Sequence, residues 1–162
     1  MQPLMKLVHL LSVIAFLGAT VVALVLSVGA PRNTIGAFSA ARAGVYVACF
    51  HVALPAMMLA LTTGLLLMVN RAGLVRARWV HAKAVLGIVI ALVALLAWLP
   101  AVQQITASAE AAMFGSTVLS AQPSDERMEL MSGAALIALA VAAVTIAVYR
   151  PRWGRGSAGG AE

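Results

Sequence analysis

Polar and apolar positions fall into long blocks along this chain. Leu7–Pro31, Ala43–Asn70, Ala84–Ala109 and Leu130–Tyr149 contain no Lys, Arg, Asp or Glu. Crossing a bilayer takes about 20 predominantly apolar residues, and each block supplies them. The pattern predicts helices over about 4–28, 42–69, 79–99 and 128–149. They must be helices because lipid offers no partner to an unpaired backbone group. The fold class is therefore all-α: an integral membrane bundle of four transmembrane helices in one domain, 1–153, with a Gly-rich flexible tail over 154–162. The first block is too long for a signal-peptide core and only Lys6 precedes it, so it is kept as a span.

Punctuation supports these limits. Pro31 follows the first helix, Gly73 the second and Pro100 the third, while Ser124 with Asp125 and Glu126 suits the start of the fourth. Pro55 removes one backbone donor and should bend the second helix near its middle. Within 101–127, Val102, Ile105, Ala109 and Met113 recur at helical spacing. That segment either lies on the membrane surface or extends the third helix.

Composition agrees. The chain of 162 residues is 63% apolar and 10% charged, against roughly 45–50% and 25% in soluble domains. A chain this short cannot hide so much apolar surface in its own core. The single cysteine, Cys49, rules out an internal disulfide and reads as a buried apolar residue.

Net charge is +6, and its positions give it meaning. Eight of the eleven Lys and Arg fall at the N-terminus, in the second loop and in the C-terminal tail; Arg32, Arg42 and Arg127 fall on the other side. By the positive-inside rule both termini are cytoplasmic, in a bacterial-type inner membrane. The charge thus reports topology and not a nucleic-acid partner. Trp79, Tyr149 and Trp153 at one end, and Tyr46 and Trp98 at the other, suit interfacial belts.

Small residues also have a pattern. Ala56, Ala60 and Gly64 share one face of the second helix, and the fourth carries Gly133, Ala134, Ala138 and Ala142. Such faces let helices approach closely, within the bundle or against other membrane subunits or a second copy.

With no charge deep in the predicted spans, ion-coupled transport is disfavoured, and three histidines carry most of the available chemistry. His9 and His81 lie within about one turn of each other in depth, from the same side. Two imidazoles at one depth are what the iron of a six-coordinate haem b requires, and Lys83 would lie near its propionates. The plainer reading makes both interfacial residues. His51 lies roughly 13 Å into the second helix from the other side. It serves either as a buried hydrogen-bonding residue, a haem ligand or a proton carrier. Met57 and Met58 could ligate a soft metal, but fill gaps between helices more readily.

Leu54-Pro55-Ala56-Met57-Met58, Gly64-Leu65-Leu66 and Trp79-Val80-His81-Ala82-Lys83 resemble the HemJ-type protoporphyrinogen IX oxidases. So do Lys6-Leu7-Val8-His9 and the ending Tyr149-Arg150-Pro151. The chain is also similar to copper-resistance-D-like four-helix membrane proteins. The resemblance implies a haem b protein that oxidises a porphyrinogen, with His9, Trp79 and Lys83 carried over. The first helix departs from the family pattern, ending Leu26-Ser27-Val28-Gly29 without a Tyr-His-like pair. The other class of function is a non-catalytic accessory subunit of a larger membrane complex.

Overall fold

The computed structural model describes residues 2–69, 78–115 and 123–149. They form four helices: α1 (Gln2–Gly29), α2 (Ile35–Val69), α3 (78–113) and α4 (Pro123–Tyr149). All four are long and apolar enough to span a membrane, and only 22–33% of residues in their most apolar windows are buried. Leu4, Leu11, Val25, Leu96 and Met131 instead turn outward. Apolar side chains facing away from the bundle need lipid around them, so this is a multi-pass membrane protein.

Two helices are longer than predicted: α2 starts earlier, at Ile35, and α3 runs on past Pro100. Pro55 and Pro100 each follow a π-helical turn, Ala48–Ala53 in α2 and Ala94–Trp98 in α3. There Leu54 donates its N–H to Cys49 O and Leu99 to Ala94 O, five residues back. The wider turn gives the proline ring room and absorbs the missing donor. Pro100 therefore does not end the third helix, which runs on to Met113. Of the two readings of 101–127, extension of the helix holds over its described part. Leu99, Val102, Ile105 and Ala109 bury their side chains on this extension, partly in a small cluster with Ala30 and Phe38.

α2 begins at Ile35 because Thr34 caps it, its hydroxyl accepting from Ala37 N at 3.4 Å. α4 begins at Pro123, so Ser124 lies inside its first turn and is not the residue before it. Arg32 reaches Glu126 at 2.9 Å across the surface.

The main core joins Phe16 of α1, Val45, Cys49 and Met57 of α2, Trp98 of α3 and Leu136 of α4. Trp98 is 1% exposed and is thus a core residue, not an interfacial anchor. Gly133 makes that possible: a Cβ there would lie 3.2 Å from Trp98 Nε1 and 2.6 Å from Leu24 Cδ2. Ala134, Ala138 and Ala142 are exposed. The side chains of Trp79 and Tyr149, and all of Trp153, lie outside the described residues, as do Arg71, Arg76, Arg150, Arg152, Arg155 and the tail 154–162.

Candidate functional site

The start of α1, the end of α2, the start of α3 and the end of α4 surround a cavity of about 550 Å³. Its size falls in the roughly 300–1,000 Å³ range of cofactor and small-molecule sites. It exists because the helices present small residues to one another there: Ala60, Gly64, Ala84, Gly87, Ala140 and Ala143. The predicted packing face of Ala60 and Gly64 is thus a cavity wall. Leu10, Leu65 and Val144 line the cavity and are exposed, so it is an open cleft between the helices and not a sealed void.

Three polar side chains line this apolar space: Lys6, His9 and Lys83. His9 is held tightly. Its Nδ1 lies 2.9 Å from Ala60 O and 3.2 Å from Thr63 Oγ1. A backbone carbonyl only accepts, so Nδ1 carries the proton and the neutral ring keeps its lone pair on Nε2. Thr63 gives its own hydroxyl hydrogen to Leu59 O at 2.6 Å, leaving its oxygen to accept from His9. The ring rests against Gly64, where a Cβ would lie 3.1 Å from Cε1.

Lys83 lines the same cavity as His9. His81 does not line the cavity and is exposed, because it stands two residues, about 200° of helix, from Lys83. Its depth matches that of His9, but its direction does not. His51 lies elsewhere again. It is exposed on the outer face of α2, edge-on to Tyr46 with ring centroids 6.1 Å apart. It is therefore no core residue. Of the two methionines, Met57 is buried beside the cavity and Met58 faces outward. Among the described residues no three of His, Cys, Asp and Glu gather to hold a metal ion.

The other end of the bundle holds charge that sequence reasoning missed. Arg42 of α2 and Glu129 of α4 form an ion pair, Nη2 to Oε2 2.9 Å and Nη1 to Oε1 3.1 Å. Their side chains are 3% and 2% exposed. Ser27 of α1 accepts from Arg42 Nη1 at 3.1 Å and donates to Glu129, and Val102 O of α3 accepts from Nη2 at 3.4 Å. One node thus ties all four helices. The spans are therefore not free of charge, and Arg42 is not a loop residue. The available signal was the isolated acid Glu129 beside an apolar run: buried in a bilayer, it demands a cation at its own depth.

Ser27 and His9 are 18 residues apart on α1, or about 27 Å along the axis. The two polar clusters thus stand about one hydrocarbon thickness apart.

No protein-family model, curated protein or solved structure matches this chain.

Proposed function

We propose that the protein binds haem b in the cavity and serves membrane redox or porphyrin chemistry. In this reading His9 Nε2 would ligate the iron, and Lys83 and Lys6 would pair with the propionates. The observation that carries it is the His9 Nδ1–Ala60 O hydrogen bond. Histidines that ligate metals commonly tie down their other ring nitrogen in this way, on a backbone carbonyl or a carboxylate. A porphyrin brings four nitrogens of its own and needs only one or two protein ligands, so one well-oriented imidazole suffices. The apolar wall suits the macrocycle, and two ammonium groups suit two carboxylates. His81 has no part in this site. When bound, haem would supply one-electron chemistry; the chain's own contribution is to orient the imidazole and hold the acid groups.

The charge distribution supports cytoplasmic termini in a bacterial-type inner membrane. With Arg42 paired inside the bundle, only Arg32 and Arg127 remain of the basic residues at the loop end, which strengthens the bias. The resemblance to HemJ-type oxidases points to a porphyrinogen as substrate.

The test is an absorption spectrum of protein purified in mild detergent from haem-replete cells, oxidised and then dithionite-reduced. A Soret band that His9→Ala removes and His81→Ala leaves is the expected result. Folded wild-type protein with no Soret band overturns the reading.

A further inference from the structure

Helix α2 carries a polar group where a lone bundle has no use for one. His51 lies nine residues from Arg42, and Ala60 lies a further nine residues on. At 1.5 Å per residue His51 is about 14 Å from each polar end, at mid-depth. Its side chain is exposed, so it faces the hydrocarbon. Its ring packs edge-on against Tyr46, itself stacked on Phe50 at 4.5 Å. No hydrogen bond to either ring nitrogen is present among the described residues. An imidazole in lipid without a partner is costly, and ionisable residues at such depth normally face protein or a wet cavity. Pro55, one turn on and also exposed, supplies no N–H to the turn before it.

We propose that this face is covered by a second copy of the chain, giving a two-fold dimer along the outer surface of α2. Two identical chains inserted with one topology are related by an axis along the membrane normal, so each residue near the axis meets its own counterpart at equal depth. A neutral imidazole is self-complementary, with one N–H to donate and one nitrogen to accept. His51 of one copy thus finds in His51 of the other the partner that lipid withholds. The exposed positions Ala43, Val47, His51, Pro55, Met58 and Thr62 succeed one another at spacings of three or four, forming a continuous stripe for close helix contact. The interface is independent of what fills the cavity.

The test uses the full chain with Cys49→Ala as background. A short bis-maleimide crosslinker should join chains carrying His51→Cys in native membranes, and should not join chains carrying Met131→Cys or Val25→Cys on the exposed faces of α4 and α1. In mild detergent, light scattering should give the mass of two chains. His51→Leu should weaken association by about 3- to 30-fold, the range for a hydrogen bond between membrane helices. His51→Asn, which keeps a donor and an acceptor, should restore most of it. Circular dichroism should be unchanged in both variants, because His51 makes no hydrogen bond among the described residues. A one-chain mass without crosslinking through position 51 overturns the proposal. So does crosslinking of equal yield at all three positions, or recovery of the chain only with a different membrane protein.

Discussion

Arg42 and Glu129 meet twice, at 2.9 and 3.1 Å, inside a bundle whose outer surface is almost wholly apolar. A guanidinium and a carboxylate placed side by side, with Ser27 and Val102 O also accepting from Arg42, offset much of each other's desolvation, although Arg42 Nε is buried without a partner. Removing one partner leaves the other charged and buried. Glu129→Gln or Arg42→Met should therefore destabilise the protein by about 3–5 kcal/mol. The double variant Arg42→Met with Glu129→Met should recover most of that loss. Thermal unfolding in a fixed detergent tests this; equal losses in the singles and the double would refute a specific pairing.

The seat of His9 gives a graded expectation. Gly64→Ala puts a Cβ 3.1 Å from the imidazole, so the ring must shift by a few tenths of an ångström. Haem bound as proposed should then show a displaced Soret maximum with the helix content intact. Thr63→Ala leaves Ala60 O as acceptor and should change the spectrum less.

Lys83 and His81 are neighbours in sequence with different destinations, and their variants should differ accordingly. Lys83→Met should lower haem affinity by about tenfold, the order expected for one charge-assisted hydrogen bond of roughly 1.5 kcal/mol. His81→Ala should leave affinity within a factor of two. Titration of the haem-free protein, followed by absorbance, separates the two outcomes.

The contact of α4 with α1 is close enough to be probed by one methyl group. Gly133→Ala places a carbon 2.6 Å from Leu24 Cδ2, and overpacking of this kind costs about 1–3 kcal/mol. Leu24→Ala in the same chain should relieve part of the strain, which unfolding midpoints of the two variants would reveal.

Charge-free blocks were enough to read four spans, because the demand of lipid for closed backbone hydrogen bonding leaves few alternatives. The two prolines were harder. Taken one at a time, Pro100 looks like a stop and Pro55 like a bend. Only the backbone reveals that a wide turn precedes each. Depth along a helix was legible for His9, Lys83, His81 and His51, since rise per residue is nearly constant. Direction was not, because each apolar face in a membrane helix can turn towards lipid or towards protein without a change in composition. That is why Lys83 lines one cavity with His9 while His81, read at the same depth, does not, and why His51, read as a buried hydrogen-bonding residue, a haem ligand or a proton carrier, is exposed. The Arg42–Glu129 pair escaped because each residue stood at the very start of a predicted span, where a charge passes for an interfacial one.

The separation between the node at Ser27 and the imidazole of His9 also works as a ruler. The node itself is enclosed by the four helices, so what the roughly 27 Å sets is the length of largely apolar outer surface between the two levels. In a bilayer several ångströms thicker, the helices cannot compensate by tilting, since tilt shortens their span across the membrane. The lipid next to the protein must thin instead. Bilayer thickness thereby acts on the stability of the bundle and on the cavity at its far end.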